Sequence, residues 1–152
     1  MPRITVSATI QSTPETLFSL SEDYGKRLEW DVFMKKMSFL GGATRMEKGV
    51  HTLTTAYNGM TMETVFINVN RPYAIAMQMP QPTWFFKTMA GTWRFTPTDD
   101  THTQADFIYA FTTRPRLLSF IMQPLIAAIL TRDMRKRMAC LKHAAETPQV
   151  HL

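Results

Sequence analysis

The sequence predicts one α+β domain in which an antiparallel sheet of seven strands is covered by a long C-terminal helix. Three observations carry this expectation. The opening "RITVSATIQ" alternates Ile4, Val6, Ala8 and Ile10 against Thr5, Ser7 and Thr9, the period-two pattern of a half-buried strand. From Met34 to Arg114 six further strand-like segments follow with short turns, which argues for a meander rather than parallel crossovers. After Pro115 the period changes. Ile126, Leu130, Met134, Met138, Leu141 and Ala145 recur at three- and four-residue spacing as one helical stripe.

Each element has a local reason. After the first strand, Ser12 or Thr13 can cap a helix, Pro14 suits its first position and Glu15 sits near the positive end of its dipole. Leu17, Phe18 and Leu20 supply its apolar face, and Gly25 is expected to break it into two short helices, the second carrying Leu28 and Trp30. "GVHTLTTAYNG" ends in Asn58-Gly59, the strongest hairpin signal of the chain. "TMETVFINVN" stops at Arg71-Pro72, and "YAIAMQMP" is closed by "PQP". "TWFFKTMAGTWRFTPT" and "THTQADFIYAFTTR" pair across "PTDDT". In the final helix Pro124 is expected to introduce a kink or to set off a short leading turn. A seven-stranded antiparallel sheet must bury one face, and only this helix has a stripe long enough to cover it. Residues 1–146 therefore form one domain, and "TPQVHL", 147–152, a tail.

Composition narrows the function classes. A chain of 152 residues can bury a substantial core, and 45% hydrophobic with 19% charged residues argues against disorder. Twelve Met and ten Phe are a heavy load, and Met lines adaptable apolar surfaces well. The net charge of +5 is scattered except at "RDMRKR", Arg132 to Arg137, which reads as a solvated helix face. No nucleic-acid-reading motif accompanies it, so no nucleic-acid partner is expected. The single Cys140 excludes an intrachain disulfide, and "MPRITVSATI" lacks the pattern of a secretory signal, which points to the cytoplasm. "LLSFIMQPLIAAIL" is 14 residues long, short of the roughly 18–20 needed to span a bilayer. His51, His102, His143 and His151 show no metal spacing, Gly41-Gly42 leads into no phosphate loop, and there is no nucleophile elbow. No metal or cofactor is expected.

Three stretches carry a family resemblance. "ITVSATIQSTPETLFSLSEDY" (Ile4–Tyr24), "GTWRFTPTDDTHTQADFIYAF" (Gly91–Phe111) and "LTRDMRKRMACLKHAAE" (Leu130–Glu146) resemble the opening strand and helix, the Gly-x-Trp-x-Phe hairpin and the closing helix of the SRPBCC (START-like, helix-grip) superfamily. The chain looks most like its polyketide cyclase/dehydrase and lipid-transport branch. The resemblance implies a curved sheet gripping the C-terminal helix, with a cavity between them for an apolar ligand. It brings no transferable catalytic residue.

Strand alternation indicates which side chains would face that helix. Phe107, Tyr109 and Phe111 share one face of the last strand, leaving Asp106 outside. Phe85, Met89, Trp93 and Phe95 share a face of the strand before it, and Ile75, Met77 and Met79 a face of "YAIAMQM". Met122, Ile126, Leu130 and Met134 would close the space from the helix. Such an aromatic- and Met-rich wall suits a small-molecule site as well as a filled core. His51 and Tyr57 would join Tyr109 inside if their strand face turns inward, and a His/Tyr set could move protons in a cyclisation and dehydration. Glu63 can point either way. With the cavity that the resemblance implies, the expectation is a carrier or binder of an apolar or amphipathic molecule, such as a lipid, quinone or polyketide-like compound. A cyclase/dehydratase acting on such a molecule is the alternative. A weaker third reading is a peripheral partner that visits a membrane through its basic helix.

Overall fold

The computed structural model describes residues 3–57, 59–83, 86–113 and 119–147. The chain runs β1 (Arg3–Ile10), α1 (Pro14–Glu22), α2 (Tyr24–Trp30), β2 (Met34–Phe39), β3 (His51–Ala56), β4 (Thr61–Asn70), β5 (Ala74–Gln78), β6 (Phe86–Pro97), β7 (Thr103–Thr113) and α3 (Ser119–Glu146). The strands form one antiparallel sheet in the order β1-β7-β6-β5-β4-β3-β2. The first strand thus joins the last, and the rest is the expected meander. Register shifts at Met34/Lys36, Phe66/Asn68 and Phe86/Thr88 each insert an extra residue, and such bulges bend a sheet around what it covers.

Local chemistry sets the helix ends. Thr13 is the N-cap of α1, its hydroxyl accepting from the Thr16 N–H at 3.2 Å, with Pro14 in the first turn. The break between α1 and α2 falls at Asp23, not at Gly25. Asp23 ends α1 in an extended conformation and caps α2, its carboxylate accepting from the Lys26 N–H at 3.3 Å, while Gly25 lies inside α2. Pro124 neither ends α3 nor sets off a separate turn: it is the sixth residue of one continuous helix, near the end whose first N–H groups lack partners anyway. Asn58 of the expected hairpin turn, Leu117, Leu118 and tail residues 148–152 lie outside the described residues.

Geometry limits how much of the sheet one helix can cover. Seven strands about 4.8 Å apart span roughly 29 Å, whereas a helix with its side chains is about 10–12 Å wide. α3 packs on β1 and β7, α2 on β2, and α1 on β6. Met134, Met138 and Leu141 are buried with Ile4, Val6 and Ile10 in the core. The leading half of the stripe differs: Ile126 and Leu130 are only half-buried. On its solvent side α3 exposes Ile121, Leu125 and Ile129.

A buried ionic cluster ties α2 to α3. Arg137 donates from Nε and Nη2 to the two carboxylate oxygens of Asp31 at 3.0 and 2.8 Å, and Arg27 donates from Nε at 3.3 Å. All three residues are buried. The expectation of a solvated "RDMRKR" face therefore fails at Arg137, which follows Met134 by three residues and precedes Leu141 by four, and so flanks the buried stripe. Burial pushes the pKa of Asp31 up, but Arg137, Arg27 and the hydrogen bonds outweigh it and hold the carboxyl below its ordinary value. That stabilisation is present above the unfolded carboxyl's pKa and is lost as pH falls through the lower folded one.

The cluster gives an asymmetric prediction. Asp31→Ala strands two buried guanidiniums and should destabilise the fold by about 3–5 kcal/mol. Arg27→Met leaves the two-pronged Arg137–Asp31 pair neutral and should change stability by no more than about 1 kcal/mol. Urea denaturation followed by circular dichroism measures both; equal losses would contradict the charge count.

Candidate functional site

The register aligns Val6, Phe107, Trp93, Ile75 and Val69 across the inner face, with Ile4, Tyr109, Gly91, Met77 and Phe66 as the next row. These rows contain Phe107, Trp93, Ile75, Tyr109 and Met77, half of the sheet residues expected to face the helix. Of those expected residues, Ile75, Met89, Trp93, Phe107, Phe111 and Met134 are buried, and pack as core. Met77, Met79, Tyr109, Met122, Ile126 and Leu130 are half-buried. Phe85 lies outside the described residues. Phe86 is instead buried edge-on against Phe111, because the bulge before Thr88 changes the parity of β6 and lets both Phe86 and Met89 turn inward.

Tyr109 is the polar group best placed in this wall. Its strand neighbours on the same face, Phe107 and Phe111, are 4% and 0% exposed, yet Tyr109 keeps accessible surface. Gly91 makes room for it: a Cβ there would meet Phe107 Cζ at 3.2 Å and the Tyr109 ring at 3.6 Å. The Tyr109 hydroxyl donates to the Met89 thioether, a weak acceptor. Burial raises its pKa to about 12, opposed by the nearby positive charge of Arg137. Trp93 Nε1, Thr64 Oγ1 and Thr113 Oγ1 are buried with no hydrogen-bond partner among the described residues. Unmet polar groups in an apolar interior are costly, and they are natural contacts for a bound oxygen or a water.

The other long-shot catalytic residues lie elsewhere. Thr52, Thr54 and Ala56 alternate with His51, Leu53 and Thr55; Thr52 receives the Tyr24 hydroxyl at 2.8 Å from the helix side, so His51 is on the outer face. There His51 Nδ1 is 3.1 Å from Glu63 Oε2, and both side chains are exposed. Tyr57 follows β3 and is 68% exposed. The expected His/Tyr set is not assembled. Cys140 is half-buried at the edge of α3's core face.

Two open grooves flank the C-terminal half of α3. One, of about 570 Å³, has Leu20, Trp30, Val32, Ala139 and Ala144 in its walls and Lys26, Glu29 and His143 among its lining residues. The other, of about 490 Å³, lies between α1 and the end of α3. Neither includes an inner-face residue of the sheet. Among the described residues no three His, Cys, Asp or Glu side chains gather to hold a metal, and no helix is long and apolar enough to cross a membrane.

Sequence reasoning missed the Arg27–Asp31–Arg137 cluster. Arg27 and Asp31 stand at helical i, i+4 spacing, and Arg137 stands at the edge of the apolar stripe, so both signals were in the sequence. Nothing in the chain's spacing joins residues more than 100 positions apart, as Asp31 and Arg137 are.

Tyr109 yields a pH prediction. Its folded pKa stands above the unfolded value, so its contribution to stability is fully present below about pH 10 and lost as pH rises towards 12. Alkaline titration of tyrosine absorbance should show a late phenol that Tyr109→Phe removes, and that Arg137→Met moves later still. A late component unchanged in Tyr109→Phe would contradict the enclosure of this hydroxyl.

No curated protein matches the chain. Among solved structures, the Zhui aromatase/cyclase from Streptomyces sp. R1128 is similar at a TM-score of 0.79 and 16% identity, over 95% of this chain and 93% of that one. A START superfamily protein from Mycobacterium smegmatis is similar at 0.77 and 11%, over 95% and 97%. The di-domain ARO/CYC BexL from the BE-7585A biosynthetic pathway is similar at 0.76 and 12%, over 96% of this chain and 47% of that one, so the chain spans about half its length. At these identities the likenesses establish the fold: a curved seven-stranded antiparallel sheet around a C-terminal helix, as in START/SRPBCC proteins. The family model described as polyketide cyclase/dehydrase and lipid transport matches residues 1–146, and the chain belongs to that family.

Proposed function

We propose that the protein binds an apolar or amphipathic small molecule between the inner face of the sheet and the leading half of α3. The observation that carries this reading is the strip formed by Met77, Met79, Tyr109, Ile126 and Leu130. These residues face the interior or its edge yet keep accessible surface, while Met134, Met138 and Leu141 one to three turns along the same helix are buried. A wall of flexible Met and aliphatic side chains with one enclosed hydroxyl has the composition of a small-molecule site. The family description, with its lipid transport, supports the same reading.

The cyclase/dehydratase alternative draws support from the aromatase/cyclase neighbours. It rests on Tyr109 alone among the three residues expected to carry it, since His51 and Tyr57 lie outside the interior. A phenol held protonated suits hydrogen bonding to a ligand oxygen better than proton abstraction near neutral pH. Binding is therefore the better supported of the two.

Nile red, a neutral lipophilic dye, should bind the freshly purified protein with a fluorescence increase, and native mass spectrometry should show a co-purified apolar molecule. Ile126→Trp, which fills the strip, should weaken dye binding about tenfold or more. Ala139→Trp, which fills the outer groove, should leave it unchanged. Loss with Ala139→Trp and not with Ile126→Trp would move the site to that groove; no dye and no co-purified molecule would contradict binding.

A membrane-visiting mode has its own observation. Ile121, Leu125 and Ile129 are 61%, 63% and 47% exposed on the side of α3 away from the sheet, and exposed Arg132 and Lys136 continue that side. An apolar ridge followed by basic residues fits an anionic bilayer surface. The protein should co-sediment with phosphatidylglycerol-containing vesicles at low salt, and Leu125→Ser with Ile129→Ser should reduce the bound fraction. Wild-type protein left wholly in the supernatant would sink this mode.

A further inference from the structure

The Arg27–Asp31–Arg137 cluster contains two positive charges and one negative. Arg27 and Arg137 are 4% and 6% exposed, and Asp31 1%. No second carboxylate pairs with either arginine among the described residues: Glu22, on the preceding helix, is engaged by Arg71 and by the Met46 N–H. Arg137 gives Nε and Nη2 to Asp31, and its Nη1 has the Met134 thioether as acceptor at 3.4 Å. Arg27 makes longer contacts, 3.3 Å to Asp31 and 3.5 Å to the Ser21 carbonyl. The rings of Phe33 and Trp30 accompany Arg137 and Arg27 at 5.2 and 6.0 Å, which spreads the charge without neutralising it. A buried cation in excess is costly unless an anion joins it. Burial, together with repulsion from Arg137, holds Arg27 below its ordinary pKa despite the attraction of Asp31. The Arg137 Nη1 rests on the Met134 thioether, and Met134 follows Leu130 of the half-buried strip by about one helical turn on the same core-facing stripe, so the excess charge lies next to the inner end of that strip.

We propose that the cluster is the anion-receiving end of the ligand site, where Arg137 and Arg27 hold the single negative charge of an amphipathic ligand whose apolar body lies along Tyr109, Met77 and Ile126. This rests on the binding reading above and deepens it: the ligand class is a monoanionic oxygen head on an apolar body, a carboxylate being the simplest case. One added negative charge brings the cluster to neutrality, whereas a dianion would leave it negative. The Arg137 Nη1 edge, which faces a thioether, has a stronger acceptor to gain. The Tyr109 hydroxyl, on Met89 sulfur, has the same.

The test compares dodecanoate, its methyl ester and dodecanol as competitors of Nile red on the full chain. The acid should bind about tenfold tighter than the ester or the alcohol, the worth of one charge-assisted hydrogen bond. Arg137→Met and Arg27→Met each neutralise the cluster without ligand and should bring the ratio of acid to ester affinity, measured within each variant, down to about one. Arg27→Met keeps the two-pronged pair, so it decides the matter if Arg137→Met does not fold. Equal binding of all three compounds, or a preference that survives both substitutions, would overturn the anion site and leave the binding proposal standing. Failure of the dye and of all three compounds to bind would overturn both.

Discussion

One helix cannot cover seven strands, and most of the structure follows from that mismatch. The inner face of the sheet is mainly apolar, from Ile4 and Val6 in β1 to Phe66 in β4, with threonines such as Thr52, Thr103 and Thr113 buried among them. α3 supplies a stripe about two residues wide and settles on β1 and β7. Bending the sheet at its bulges brings the far strands towards the helix, and α1 and α2 help where the bend does not reach. Tyr24 illustrates this, stacking on Phe39 of β2 with ring centroids 4.2 Å apart while its hydroxyl meets Thr52. Residues beyond these covers, Met77 and Met79 among them, remain half-buried, and the proposed ligand takes the place of the missing cover.

Charge fixes how the covers are assembled. α2 has only seven residues, and Asp31 at its C-cap anchors it to α3 through the Arg137 guanidinium, while Arg27 of α2 itself holds the same carboxylate. An ion pair in this position specifies one arrangement of helix on helix, because any sliding of α3 would separate Arg137 from Asp31. The same cluster reaches the helix's apolar stripe where Arg137 Nη1 rests on the Met134 thioether, about one turn beyond Leu130 of the strip. In the proposed anion site, stability and recognition would share this residue.

Much of the fold was legible in the sequence because it is written in short-range patterns. The alternation of Ile4, Val6 and Ile10 and the spacing of Met134, Met138 and Leu141 both fix which side is buried, and the structure keeps both. What was not legible depends on single residues that alter a pattern. An extra residue in β6 exchanged Phe85 for Phe86 as the observed inward ring, and a capping carboxylate at Asp23 displaced the break expected at Gly25. The inward or outward turn of His51 could not be read from its own strand, since Thr52 and Thr54 are as plausible on either face; the hydroxyl of Tyr24 on Thr52 settles it. The candidate site was legible as a wall of residue types, while its charged end needed two helices brought together in space.

The central claim is that the space along Tyr109, Met77 and Ile126 is held open for a ligand and is not filled by the chain itself. A crystal structure of protein purified without lipid extraction tests this most directly. The account predicts elongated density between the inner face and the leading half of α3, ending beside Arg137. Side chains of Met77, Met79, Ile126 and Leu130 packed against one another, with no room for a guest, would contradict it.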